Sequence, residues 1–325
     1  MTVLGKRGRS GSQAPQRVRS RTNEPRRRGR SARRSRWIPY LFLALPVAYL
    51  AVFQIVPLLQ ELRLSFTRTS LLNPGNNTWV GLDNFLAIVA DPEFIRTLTT
   101  TLIYVVVCVV GAIGIGMGTA LLLNANFRGR GVARALVTVP WAAPGVAVAL
   151  IATWMTNAQY GIINRALEAV GLGVPNGQIL ASSTFALPAV LITTVWQLFP
   201  FPTIVLLAAL QSVPKESTEA AMIDGAGRWW TFRAATWPVI KPTVALLAVL
   251  MAIWSIRRFE LIWLMTKGGP LGSTRTIVID LYSRAFESND VGMAAAIGMV
   301  GVVISLLLVT GSLLLNRRAE KEDTL

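Results

Sequence analysis

Apolar residues in this chain come in long blocks rather than in stripes. Six runs, at 37–59, 97–123, 134–156, 185–210, 239–264 and 293–315, carry few charges, and none alternates apolar with polar positions. Each is long enough, at about 1.5 Å per residue, to cross a hydrocarbon core of about 30 Å. A lone segment in lipid must satisfy its own backbone hydrogen bonds, so each run is predicted to be a helix rather than a barrel strand. Pro46, Pro57, Pro140, Pro144, Pro188 and Pro200 lie in or beside these runs and predict kinks there. The expected fold class is an all-α integral membrane protein with six transmembrane helices.

Charge orients the helices. Residues 1–36 hold thirteen Lys and Arg against one acid, Glu24, which is most of the chain's net charge of +16. Further basic clusters follow the second run (Arg128, Arg130, Arg134), the fourth (Lys215, Arg228, Arg233, Lys241) and the last (Arg317, Arg318, Lys321). By the positive-inside rule these segments, and with them both termini, are expected on the cytoplasmic side of the plasma membrane. The basic tail has no apolar period and is expected to be disordered and to meet anionic lipid headgroups rather than nucleic acid. The first run is long enough to span, and no small-residue cleavage site clearly follows it, so it reads as an anchor helix. The domain plan is therefore a basic tail at 1–36, a six-helix membrane domain at 37–316 and a cytoplasmic tail at 317–325.

Composition removes several chemistries. The chain has no His, and Cys108 is its one cysteine, so His-based catalysis, Cys/His zinc sites and an intrachain disulfide are excluded. No phosphate-binding G-x-x-x-x-G-K-[ST] loop occurs; the Gly-rich run "GAIGIGMGTA" at 111–120 lacks Lys, and Gly114 and Gly118 read as a small-residue helix-packing face. The chain is expected to be no enzyme and to need no cofactor, and any ATP would be hydrolysed by another subunit. The helices hold almost none of the carboxylates that a membrane-embedded enzyme would need, and no channel filter or polar ring is evident.

One segment breaks the pattern: "EAAMIDGAGRWWTF" at 219–232 sets Glu219, Asp224, Arg228 and two glycines between greasy runs. Ser212 is expected to cap a short helix reaching Asp224, Gly225 to turn the chain, and Trp229, Trp230 and Phe232 to wedge against the membrane domain. Ordinary connections need only a few residues, so roughly thirty with this organisation predict a docking surface.

The extended stretch "EAAMIDGAGRWWTFRAATWPVIKP" (219–242) resembles the EAA loop of binding-protein-dependent ABC import permeases, with Glu219, Ala220, Ala221, Asp224, Gly225, Ala226, Phe232, Pro238 and Pro242 at the matching positions. Over residues 37–316 the chain is similar to the carbohydrate branch of that family, the maltose (MalF) and glycerol-phosphate (UgpA) types. This resemblance implies a type I importer (MetI-like) core, and a coupling loop over 212–238 in which Glu219, Ala220, Ala221, Asp224, Gly225 and Ala226 meet the ATPase. It also implies four partners: a second homologous permease, a dimeric ABC ATPase, an extracytoplasmic solute-binding protein and membrane lipids. Its function would be ATP-driven import of a sugar or oligosaccharide by alternating access, the alternative being glycerol-3-phosphate or a related phosphorylated polyol.

By motif match, the substrate pathway of the maltose type falls on Thr194, Gln197, Leu198 and Phe201 in "TVWQLFPF" and on Trp254, Ser255 and Arg258 in "WSIRRF". Aromatic faces with a few hydrogen-bonding groups suit a sugar's alternating CH and OH surface. "WSIRRFE" departs from the Asn-rich or Asp-containing sequence common there. On an unbroken fifth helix, Arg257 would pair with Glu260 at i+3 and Arg258 would stack over Trp254 and face the pathway, the alternative being that both arginines snorkel to external headgroups.

Overall fold

The computed structural model describes residues 38–322 of the chain. The basic tail expected at 1–36 lies outside the described residues, as do positions 323–325.

One compact unit ends at Ile55. Its described part is helix α1 (Ile38–Leu50), followed by a π-turn at Ala51–Ile55. The second unit begins at Val56 with α2 (Val56–Ser65), then an antiparallel hairpin, β1 (Thr67–Ser70) and β2 (Asn73–Trp79), pairing Thr67 with Trp79 and Arg68 with Thr78. The all-α expectation missed this hairpin. Buried Asn84 secures it, donating to the carbonyls of Ser65 and Thr67 at 2.9 Å each. Next come α3 (Asp83–Ala90), α4 (Pro92–Asn124), α5 (Arg130–Ala142), α6 (Gly145–Met155), α7 (Ile162–Ala169), α8 (Ala186–Leu198) and α9 (Pro200–Gln211). The chain continues through α10 (Lys215–Ile223), α11 (Arg228–Thr231), α12 (Trp237–Ile256), α13 (Glu260–Thr266), α14 (Ile277–Tyr282) and α15 (Val291–Glu322).

Among the described residues four helical stretches are long and apolar enough to cross a membrane: Tyr40–Ser65, Pro92–Asn124, Arg228–Ile256 and Val291–Gly311. The third and fourth expected spans are bent pairs: α5 and α6 turn by 91°, and α8 and α9 by 42°. Counting each pair as one span gives six. The breaks fall at Ala143–Pro144 and Phe199–Pro200, where each proline removes a donor; Ala143 is extended, as a residue before proline prefers, whereas Phe199 stays helical and the bend there is the smaller.

The fifth span departs most from expectation. It begins at Arg228 rather than near 239 and stops at Ile256 rather than 264. Pro238, the expected end of the loop at 212–238, is carried within the helical stretch by a π-turn at Phe232–Thr236 just before it, a local rewinding that tolerates the lost hydrogen bond. At the far end the apolar run contains Arg257, Arg258 and Glu260, and the chain breaks at 257–259 before restarting as α13. The last helix continues to Glu322, past the expected boundary at 316.

Helix α4 is the central post, and the buried core lies along it. From its start Phe94, and on one side of its middle Val105, pack into a cluster with Ile256, Ile277 and Ile297; on another side of its middle Tyr104 and Cys108 meet α6, α8 and α13; near its end Ala120 and Leu123 meet α9 and α12. Backbones approach closely at Gly116, where an added Cβ would lie 2.9 Å from Pro202 Cβ and 3.1 Å from the Thr203 amide nitrogen. The packing register is thus Ala112, Gly116 and Ala120, all buried. Gly114 and Gly118, the expected packing face, point away from it and would meet no atom within 4 Å.

Candidate functional site

Two features stand apart from the packed core: an exposed helix–turn element and an aromatic, arginine-lined cavity. The first starts where α9 ends. Ser212 does not cap α10; its hydroxyl donates back to Ala209 at 2.8 Å, and Pro214 occupies the cap position. Proline suits the start of a helix, where its missing N–H would lack an intrahelical partner. At the other end, Gly225 takes φ +81°. Its N–H reaches the Met222 carbonyl at 3.1 Å and that of Ala226 reaches Ala221 at 3.0 Å, the paired bonds of a Schellman cap, which needs a left-handed residue at that position. Gly227 then leads into α11.

Helix α10 has no buried residue. Glu219, Ala220 and Asp224 are exposed, Ala221 and Ala226 are half-buried, and Ile223 is 85% exposed. Of the three aromatics expected to wedge inward, only Phe232 does, packing beside Leu207 and Ile240. Trp229 and Trp230 stay outside, Trp229 stacking on Phe232 at 6.1 Å.

The cavity, of about 410 Å³, is lined by Trp141, Gln197, Leu198, Trp254 and the 257–260 break. Gln197 organises it. Its Nε2 donates to the Ala143 carbonyl at 3.1 Å, at the bend between α5 and α6, and its Oε1 accepts from Arg258 Nη2. Arg258 Nε is buried with no hydrogen-bond partner among the described residues. Phe201 sits behind this wall, its ring 5.0 Å from Trp254 and 5.6 Å from Trp141.

Of the residues expected along the pathway, Gln197, Leu198, Trp254 and Arg258 come together at this cavity. Thr194 does not: it is fully buried and bonded to the Tyr104 hydroxyl at 2.9 Å. Ser255 is buried in the core, and Phe201 backs the wall because the bend at Phe199 takes it off the α8 face. The helical Arg257–Glu260 pair and the Arg258–Trp254 stack both assumed an unbroken helix. With the helix ended at Ile256, Arg258 reaches across to Gln197 instead, and Glu260 packs against Gly145 at the start of α6. Trp141 and Phe259 were missed, since nothing in their own segments marks them as neighbours of Gln197.

An ion-pair network lies at the opposite end of α4 from α10, a separation of about 50 Å for a helix of 33 residues at about 1.5 Å each. Asp91 caps α4 by accepting from the Glu93 amide at 2.9 Å and pairs with Arg284 at 2.7 Å. Arg284 and Arg275 flank Asp280, and Arg275 also faces Glu93 at 3.4 Å. Burial alone would raise the Asp91 carboxyl, but Arg284 and the backbone amides outweigh it and hold it below the usual carboxylate value. Burial dominates at Asp280 and pushes it up.

Residues 111–321, more than half of the chain, match the family described as the binding-protein-dependent transport system inner membrane component. The chain belongs to this family. The permease is 34% identical over 267 residues to the trehalose/maltose transport system permease protein MalF of Thermococcus litoralis, covering 82% of this chain and 89% of the relative. It is 30% identical over 272 residues to the sulfoquinovosyl glycerol transport system permease protein SmoG of Agrobacterium fabrum, covering 83% and 87%. Its fold matches a chain of a bacterial alginate ABC transporter, solved in complex with an alginate pentasaccharide-bound periplasmic protein, with a TM-score of 0.75 at 24% identity over 87% of this permease and 95% of that chain. It is a multi-pass membrane permease of the ABC importer class.

Proposed function

We propose that this permease imports a carbohydrate by alternating access, with the cavity at Gln197 and Arg258 on the substrate path and α10 as the contact to a separate ATPase. The observation that carries the reading is α10 itself: a helix with no buried residue, ended by a full Schellman cap, presenting Glu219, Asp224 and Ile223 to something outside the chain. ATP-driven closure of a dimeric ATPase would press on α10 and, through α11 and the continuous span behind it, tilt α12 beneath Trp254. In this reading α10 and both termini are cytoplasmic, the Asp91–Arg284 network faces outward toward a solute-binding protein, and a second, homologous permease completes the pathway.

The three relatives carry sugar names, which supports a carbohydrate, and Trp141, Trp254 and Phe259 offer the flat apolar faces that sugar rings stack on. A phosphorylated polyol is the second reading, favoured by the unpartnered Nε of Arg258, since a guanidinium fork suits an anionic oxygen pair. The test is uptake into proteoliposomes holding the permease pair, the ATPase and a loaded binding protein. Uptake should stop with a hydrolysis-dead ATPase. Flux that persists without hydrolysis would make the protein a channel and overturn the reading.

A further inference from the structure

Two cavities meet at the end of the membrane domain that bears α10. The larger, about 610 Å³, lies between the ends of α4 and α9 and the start of α10; its charged lining is Arg130, Arg134 and Lys215, with no acid. The smaller, about 380 Å³, is a groove among α4, α5 and α9 whose walls are mainly apolar, including Leu123, Ile204 and Ala208. They share Arg134 and Gln211, so a polar cationic chamber opens onto an apolar slot across one guanidinium.

None of the ion pairs among the described residues involves Arg130, Arg134 or Lys215. Arg134 Nη2 makes one long bond, 3.3 Å, to the Leu123 carbonyl, and its buried Nε has no hydrogen-bond partner among the described residues. Arg130, which donates to Asn126 at 3.0 Å, and Lys215 are exposed beside it, so the unpartnered Arg134 nitrogen in a cationic, acid-free lining suits an anion, and the adjoining slot suits a hydrocarbon chain. A phospholipid with a negative headgroup supplies both at once.

We propose that this double cavity binds one anionic phospholipid, the headgroup phosphate against Arg130, Arg134 and Lys215 and one acyl chain in the slot beside Ala208. Because Lys215 and Thr218 belong to α10, the bound lipid braces the coupling helix, and its presence sets how well ATP hydrolysis is transmitted. The placement of this end at the cytoplasmic leaflet rests on the function proposed above; the binding itself does not.

The test uses the complete complex in nanodiscs containing phosphatidylglycerol or only phosphatidylcholine, with retained lipid read by native mass spectrometry after detergent transfer. Phosphatidylglycerol should remain bound. Arg134→Gln with Lys215→Gln should weaken retention by about fivefold for each charge removed, taking about 1 kcal/mol per surface cation. Ala208→Phe, at an exposed position lining the slot, should displace the lipid while the complex stays assembled. Equal retention in the charge variant overturns the proposal. So does phosphatidylglycerol binding that inorganic phosphate competes away and Ala208→Phe leaves unchanged, which would mark a small-anion site, and so does a groove found filled by the partner permease. Lipid retained by a complex that shows no ATP-dependent uptake would leave this site standing and remove the transport reading instead.

Discussion

Replacing Gly225 separates coupling from folding. Its φ of +81° lies in the left-handed region, and a Cβ there would meet nothing within 4 Å, so Gly225→Ala carries only the backbone penalty, about 1–2 kcal/mol. Gly225→Pro does more. The ring forces φ to about −65°, removes the N–H that reaches Met222, and disfavours the ψ of 3° at Asp224, for a total of about 3 kcal/mol or more. At about 1.4 kcal/mol per tenfold, the native turn is depopulated about 5- to 30-fold by Ala and at least a hundredfold by Pro. No buried contact of α10 opposes the change, so the energy is absorbed as a wrong exit angle for α10 while the membrane core stays intact. The assay is ATPase activity stimulated by the loaded binding protein, with membrane insertion and thermal stability measured alongside. Partial loss is expected for Ala and full loss for Pro, with insertion unchanged. Gly171 supplies the control, since it has φ +75°, the same open space and a position after α7, away in sequence from α10. Gly171→Ala should leave stimulation intact. Stimulated turnover retained in Gly225→Pro, or an equal loss in Gly171→Ala, refutes the reasoning.

Arg258→Ala should assemble with its partners but raise the apparent KM for transport by about tenfold or abolish uptake, and Gln197→Leu should mimic it by stripping Arg258 of its acceptor, a loss of about 1–3 kcal/mol for the buried group left unpaired; unchanged uptake kinetics in both would take the cavity off the pathway. Gly116→Leu should lower the thermal stability of the complex, because its Cβ would press on the backbone of Thr203, by about 1–3 kcal/mol or more, whereas Gly118→Leu should be nearly neutral in the isolated chain. Asp91→Asn should destabilise the start of α4 at pH 7. Because the Asp91 carboxyl is held below its ordinary value, its contribution is present above the normal carboxylate range and lost as pH falls through the lowered one. Unfolding curves of variant and unmodified protein should therefore begin to converge below about pH 4, the ordinary aspartate value being about 3.9, and meet only below the lowered value; a constant gap down to the acid limit contradicts the pairing.

What the sequence revealed tracks what is encoded within one segment. Apolar length is such a property, so the membrane-crossing stretches were legible, and the φ requirement at Gly225 could be read because its neighbours already formed the cap. Phase and breakage are set between segments. The glycines of α4 were recognisable as a packing stripe, but only the presence of Pro202 and Thr203 opposite makes Gly116 the buried one. Helical spacing assigned Arg257 to Glu260, yet the helix had already ended at Ile256. Hydropathy could not see the π-turn that carries the fifth span past Pro238, nor the angle at which α5 and α6 part at Pro144. The 91° bend matters most for the site, since it exposes the Ala143 carbonyl that holds Gln197.

If α10 is the coupling element, it must meet an ATPase inside the cell. The native Cys108 is buried, so with Cys108→Ala as background the exposed Glu219→Cys can be made the single reactive thiol. In the complex of both permeases and the ATPase, this cysteine should cross-link to the ATPase and, in intact cells, escape a membrane-impermeant thiol reagent added outside. Labelling from outside, or uptake that proceeds with no cross-link to the ATPase, would contradict the coupling role assigned to α10.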